Sequence, residues 1–333
     1  MTLRKSSKEK WPVPGLASSA AVFGPREGFQ FEKGPIETAR KIELVDALSD
    51  TGLKHIQVTS FVSPKWVPQM ADADEITEKF RKAPGVEYDA LYLNDRGLER
   101  ALSHGVYHFR GHLTMVASNV FAKTNTNKTI DELIAAIPSR IALYQQHGIK
   151  TRAVGVQAAF GCNYQGDVPL EDVLKVVGAA IDVAAEHGET IEEIRLSDTM
   201  GWGNPIQTKR LIGAVQDRWP EASISLHLHD TRATAMANAM AGLEMGVADF
   251  DSSVGGLGGC PFASHKGSAG NIVTEDLAFM CEEMGIATGV DIDKLIECAK
   301  LAEEIVGHPL PSKLMRGGSL NRIREAAMQA ALA

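Results

Sequence analysis

The apolar positions of this chain change period repeatedly. Short runs rich in β-branched residues recur about every 30 residues, each followed by a stretch whose apolar residues fall three and four apart. The runs predict strands at 20–24, 54–60, 87–93, 106–116, 150–158, 191–197, 222–229 and 249–254. The first is the poorest β-former, because Ser18, Ser19 and Ala20 open it. Ile36, Ala39, Ile42, Val45 and Leu48 share one face of a helix over 36–50, and Gly52 suits its stop. Residues 130–147 read the same way, with Gly148 beyond them. Asp230 stands at an N-cap position before a run carrying Met236, Met240 and Leu243.

Eight strand-then-helix units without a long antiparallel insertion predict a parallel sheet. Eight such units close into a (β/α)8 TIM barrel, an α/β fold, and 333 residues suit it as a single catalytic domain. The expected boundaries are a basic tail over 1–17 and a barrel with C-terminal helices over 18–333. The competing open, doubly wound sheet would carry Gly-x-Gly-x-x-Gly after its first strand. Here Gly24-Pro25-Arg26-Glu27-Gly28-Phe29-Gln30 follows instead.

Hydrophobic residues are 44% and charged residues 23% of the chain, the balance of an ordinary globular domain. A net charge of -8 argues against a nucleic-acid partner. No run of 18 apolar residues exists, so no membrane partner is expected. Four cysteines without paired spacing fit a reducing cytoplasm. The tail carries Arg4, Lys5, Lys8 and Lys10 but no apolar signal core.

In such a barrel, chemistry sits at the C-terminal ends of the strands. His227 and His229 lie two apart on a predicted strand, so both imidazoles point the same way. They are either a pair of core histidines or two ligands of a divalent cation. A cation would need oxygen ligands too, for which Glu27 and Asn271 are the candidates. That mixed set suits Mg²⁺ or Mn²⁺, or Zn²⁺. Arg26 is a fixed positive charge, able to stabilise an enolate oxygen or to serve a structural ion pair. Asp198 in Ser197-Asp198-Thr199 is a catalytic candidate or a turn residue. Cys260 sits in Gly258-Gly259-Cys260-Pro261, either as the thiol of a mobile lid or as a small buried hydrophobe.

Together these residues resemble the 3-hydroxy-3-methylglutaryl-CoA lyase family of barrel metallolyases, from about Phe23 to Leu301. The resemblance is carried by GPREGFQ at 24–30, TSFVSPKWVPQM at 59–70, SDTMG at 197–201, HLHD at 227–230, DSSVGGLGGCPFA at 251–263 and GNIVTEDL at 270–277. It implies a divalent cation and retro-Claisen cleavage of a 3-hydroxyacyl-CoA to acetyl-CoA and an oxo acid. Arg26 matches the catalytic arginine, His227, His229 and Asn271 match metal ligands, and Cys260 matches the lid thiol. Asn119, Lys123 and Asn125, after the fourth strand, are candidates for the CoA phosphates, or belong to a solvated loop.

The chain departs from the family pattern in three places. Glu27 replaces an aspartate, Gln57 replaces a glutamate, and the stretch between Cys260 and Asn271 is slightly longer. A longer acid facing a neutral amide reads as a rebuilt site. The expected function is therefore cleavage of hydroxymethylglutaryl-CoA or a close analogue, with a citramalyl-CoA-like ester as alternative. A Claisen-type condensing enzyme and a non-catalytic barrel binding CoA esters or metal are the other readings. A cytoplasmic homodimer or larger homo-oligomer acting on an acyl-CoA is expected.

Overall fold

A computed structural model of the chain describes residues 19–22, 24–30, 32, 34–258 and 270–332. Its strands are β1 Ser19–Val22, β2 His55–Ser60, β3 Glu87–Leu91, β4 Gly111–Val116, β5 Thr151–Gln157, β6 Glu193–Asp198, β7 Ser223–Leu228 and β8 Asp249–Ser252. Its helices are α1 Gly24–Gln30, α2 Thr38–Ser49, α3 Ala73–Lys79, α4 Asp95–Leu102, α5 Asn119–Thr126, α6 Ile130–Ala135 and α7 Ile137–Gln146. They continue as α8 Leu170–Glu186, α9 Pro205–Arg218, α10 Ala235–Glu244, α11 Thr274–Glu283, α12 Ile292–Val306, α13 Leu314–Gly317 and α14 Leu320–Leu332.

The strands pair in parallel in the order β3-β2-β1-β8-β7-β6-β5-β4, so β1 lies against β8 and the sheet curls into a barrel. At the seam between β3 and β4 the His108 N–H donates to the Tyr88 carbonyl at 2.8 Å. Beside it Tyr92 and Phe109 pack edge to face at 5.2 Å.

The apolar core lies outside the barrel wall, between sheet and helices. On α8, Val173, Val176, Val177, Ala180 and Ala184 are buried, the three-and-four spacing of a helix with one covered face. They meet the outward strand positions, among them Val154, Val156, Ile194, Leu196 and Leu226. The alternate positions, such as Arg195, Ser225 and His227, line a cavity of about 1180 Å³ that extends beyond the lumen to Arg140 and Tyr144 of α7.

Several predicted elements shift. The segment after β1, given no element from the sequence, forms α1, with Pro25 near its start, where a missing N–H costs nothing. The predicted 130–147 helix divides at Ala136 into α6 and α7, with Pro138 in the first turn of α7. The strand expected from 106 begins only at Gly111. Asp230 does not open α10, which starts at Ala235; instead its Oδ1 accepts the Ala235 N–H at 2.9 Å. Helix α2 ends at Ser49 with Asp50 as its cap, two residues before Gly52, whose φ is 92° and where a Cβ would come within 2.4 Å of the Gly289 carbonyl oxygen. No helix among the described residues is long and apolar enough to cross a membrane. The basic tail lies outside the described residues.

Candidate metal centre and active site

Three elements converge at the C-terminal mouth of the barrel. Helix α1 brings Arg26 and Glu27, the end of β7 brings His227 and His229, and the segment before α11 brings Asn271. Each of Glu27, His227 and His229 offers one ligand atom, and these atoms lie within 4.8 Å of one another. Asn271 pairs with His229 through a backbone bridge and is itself buried. Gly258 lies against both oxygen ligands. At its φ of 92° a Cβ would stand 3.0 Å from Asn271 Nδ2 and 3.0 Å from Glu27 Cγ, so a glycine keeps the approach open.

The hydrogen bonds prepare both imidazoles. His227 Nδ1 bonds Asp251 Oδ2 at 3.0 Å, and His229 Nδ1 bonds the Asp198 carbonyl oxygen at 3.0 Å. A proton held on Nδ1 of His229 leaves Nε2 as a lone-pair donor, the arrangement a metal ligand needs. His229 Nε2 and Asn271 Oδ1 are both buried with no hydrogen-bond partner among the described residues. A buried polar atom without a partner is costly, and a divalent cation would satisfy both. The donor set of two nitrogens and two oxygens therefore fits a divalent cation.

The charge balance agrees. Burial would raise the Glu27 carboxyl, but Arg26 and the two imidazoles outweigh it and hold the group well below the usual carboxylate range. Burial works against a charged His229, yet Glu27, 3.9 Å away, raises its affinity for positive charge.

Arg26 is fixed from two sides. Its Nε donates to Gln57 Oε1, and its Nη2 stands 3.5 Å from Glu27 Oε2. Gln57 Nε2 in turn donates to Asp89 Oδ2 at 3.3 Å, which orients the amide. Gln57 thus holds the guanidinium without adding the negative charge of a glutamate.

The remaining sequence candidates fall elsewhere. The Asp198 carboxylate accepts the N–H groups of Trp202 at 2.7 Å and Gly203 at 2.8 Å. Its neighbours Ser197 and Thr199 line the cavity, so strand alternation turns Asp198 away and leaves only its carbonyl at the site. Asn119 Oδ1 accepts the Ile130 N–H and Lys123 Nζ bonds the Asn127 carbonyl, both off the cavity wall. Asn125 lines the cavity and donates to Gln157 Oε1 at 3.4 Å. Cys260 and the longer stretch after it lie outside the described residues.

Sequence reading missed the groups beneath the mouth. Arg195 Nε stands 3.3 Å from Asp251 Oδ2, so one carboxylate oxygen meets both the guanidinium and His227. The signal was present as period-two polarity in Glu193-x-Arg195-x-Ser197, Ser225-x-His227 and Asp249-x-Asp251.

The model of the HMGL-like family matches residues 22–302. The hydroxymethylglutaryl-CoA lyase YngG of Bacillus subtilis is 42% identical over 302 residues, 91% of this chain and 97% of that one. The crystal structure of a Bacillus subtilis HMG-CoA lyase superposes with a TM-score of 0.81 at 40% identity, covering 90% of this chain and 97% of that one. An HMG-CoA lyase from Acinetobacter baumannii, solved with coenzyme A and 3-methylmalate, gives a TM-score of 0.79 at 34% identity over 91% of this chain and 95% of that one.

Proposed function

The chain belongs to the HMGL-like family, and we propose that it is a divalent-cation-dependent carbon–carbon lyase. It cleaves a 3-hydroxyacyl-CoA, with hydroxymethylglutaryl-CoA as reference substrate, to acetyl-CoA and an oxo acid. The observation that carries this reading is the buried triad of Glu27, His227 and His229, with the orphaned atoms His229 Nε2 and Asn271 Oδ1 beside it. These four residues would hold the cation, which when bound lowers the pKa of the substrate hydroxyl.

The protein's own groups do the rest. The 3-hydroxyl gives its proton to water at the mouth, its oxygen electrons form the carbonyl of the oxo acid, and the C2–C3 bond breaks. The bonding pair moves into the thioester enolate, which then takes one proton on carbon. Arg26, held in place by Gln57, stabilises the developing enolate oxygen. Asp251 keeps the His227 ring oriented toward the mouth. The proton on carbon is assigned to the Cys260 thiol, acting as a general acid.

Glu27 and Gln57 favour an acyl group other than the methylglutaryl one, because both sit at the reacting centre and both differ from the family pattern. The test is a panel of CoA thioesters with and without Mn²⁺, reading acetyl-CoA by mass. Release of acetyl-CoA only with metal supports the reading. Tight CoA-ester binding without turnover of any thioester would overturn it in favour of a non-catalytic barrel.

A further inference from the structure

The block TSFVSPKWVPQM at 59–70 takes no part in the reaction described above. It leaves the C-terminal end of β2 and runs as a loop toward α3. The loop is tied at both ends. The Phe61 N–H donates to the Leu91 carbonyl at 2.7 Å, and Phe61 and Met70 are buried. The N–H groups of Trp66 and Val67 both donate to the Ser63 carbonyl at 3.0 Å. Lys41 Nζ donates to the Gln69 carbonyl at 2.5 Å, and Gln69 Nε2 donates to the Glu32 carbonyl at 2.7 Å, which joins the loop to the end of α1. Pro64 and Pro68 fix φ between these ties. From this held loop the Trp66 side chain projects into solvent, 80% exposed.

Trp66 ends a line of groups that starts at the reaction centre. Gln30 lies one helical turn beyond Arg26 on α1, so the two share a face. Gln30, Val62 and Val67 line the same cavity as Arg26 and Glu27. Gln30 Oε1 is buried with no hydrogen-bond partner among the described residues, an acceptor in want of a donor. Val62 and Val67 then give the wall an apolar stretch. Trp66 follows at the outer edge, with Lys65 Nζ 5.8 Å from its ring centroid. Lys65 has no carboxylate partner among the described residues. Aromatic rings across the mouth are already engaged: Tyr164 stacks on Phe121 at 6.2 Å, and Trp202 Nε1 donates to Asn163 Oδ1 at 2.6 Å.

We propose that Trp66 and Lys65 form the nucleotide subsite of the thioester: the adenine of CoA stacks on the indole, and its phosphates meet the Lys65 ammonium. The inference rests on the lyase reading above. A CoA thioester matches the line group for group. Its pantetheine arm carries amide N–H donors for Gln30 Oε1, and methylene and methyl groups for Val62 and Val67. Its adenine is a flat π face, and stacking asks only for an open aromatic face in return. A ring held still by its loop loses little freedom on binding. The assignment moves the phosphates away from α5, where Asn119 and Lys123 are bonded off the cavity wall, to the loop after β2.

The test compares, with the Mn²⁺-loaded enzyme, the CoA ester that turns over best in the panel above and its pantetheine counterpart, which ends before the nucleotide. Trp66→Ala should lower kcat/KM for the CoA ester relative to the pantetheine ester by about tenfold, through KM and not kcat. Trp66→Phe keeps a ring face and should restore most of that ratio. Lys65→Gln should lower the ratio by a smaller factor, one that fades as salt is raised. A second measurement needs no turnover. Adenosine 3′,5′-bisphosphate, which carries the adenine and two of the phosphates of CoA, should quench the tryptophan fluorescence of the parent, and most of that quench should be absent from Trp66→Phe. Equal losses on both thioesters, or a quench that survives Trp66→Phe, overturns the subsite and leaves the lyase reading standing. A dimer that Trp66→Ala dissociates, with the thioester ratio unchanged, gives the ring to a second copy of the chain and also overturns it. No cleavage of any thioester, with the quench lost in Trp66→Phe, overturns the lyase reading and keeps the nucleotide subsite. No cleavage and no quench overturns both.

Discussion

The mouth of the barrel and the lumen beneath it are built from the same strands, yet they solve opposite problems. At the mouth, one carboxylate, Glu27, is surrounded by Arg26, His227 and His229. In the lumen, acceptors are in excess: Asp89, Glu193, Asp249 and Asp251 share Arg195 and the nearby histidines. Gln57 joins the two, because its carbonyl oxygen takes Arg26 and its amide N–H donates to Asp89, its register partner on β3. A glutamate could not do both, since it has no N–H to give. Gln57, one of the positions expected to depart from the family pattern, is therefore the one that couples the regions.

The largest effect that separates the two regions should come from His229→Ala. Loss of this ligand leaves the coordination set under-filled. It should lower metal affinity by more than the 10–100-fold typical of outer-shell partners, with activity falling alongside. Calorimetric titration with Mn²⁺, together with a circular-dichroism melt, checks that metal is lost and fold is kept. Unchanged metal affinity would remove His229 from the centre. Next comes Asp251→Asn, which acts from the lumen side through His227. Its expected cost is about 10–100-fold in metal affinity. A variant with wild-type affinity would show that the 3.0 Å contact to His227 Nδ1 only fills space.

The coupling through Gln57 is smaller and is read as non-additivity. Glu27→Asp shortens the acid by one methylene and withdraws it from the imidazoles. Gln57→Glu places a second carboxylate beside Asp89, where Nε2 now donates at 3.3 Å, and should raise a pKa there. A double-mutant cycle on kcat/KM should show about 0.5–3 kcal/mol of interaction, as neighbours sharing a partner do. Additive effects would mean that the two positions act independently and that the mouth and the lumen are not joined through Arg26.

Much of the mouth was legible in the sequence because its residues are local. His227 and His229 lie two apart on one strand, and GPREGFQ carries Arg26 and Glu27 together. Asn271 came from the family resemblance and from its place after the last strand. The lumen was legible only in part. Its residues are scattered over β2 to β8 and meet through strand register, which alternation along one strand does not reveal. Asp198 misled for the same reason: a polar residue at a strand end can face the axis or away from it, and here Ser197 and Thr199 face inward instead. The split of 130–147 and the late start of α10 are turn-level details set by Pro138 and by the reach of the Asp230 side chain.

The smallest expected effect concerns stability behind the mouth. Glu275, on α11, is fully buried, and both carboxylate oxygens accept the Gly255 N–H, at 3.1 and 3.2 Å. Gly255 belongs to the turn by which the chain leaves β8 for the mouth. Glu27 is also buried but sits among cations, which hold its pKa down; Glu275 has no such company, and burial pushes its pKa up to about 7. The folded state then holds a proton that the unfolded chain releases near its ordinary value of 4.5. Stability from this group is present below that value, declines as pH rises through the window up to about 7, and is level above it. Glu275→Gln keeps an acceptor for Gly255 and has no charge to bury. It should flatten the decline and be more stable than the parent at pH 8 by on the order of 1–3 kcal/mol, with little difference near pH 4.5. Urea unfolding at the two pH values measures it. A variant that loses stability equally at both would show that the second carboxylate oxygen, not the ionisation, is what the Gly255 turn requires.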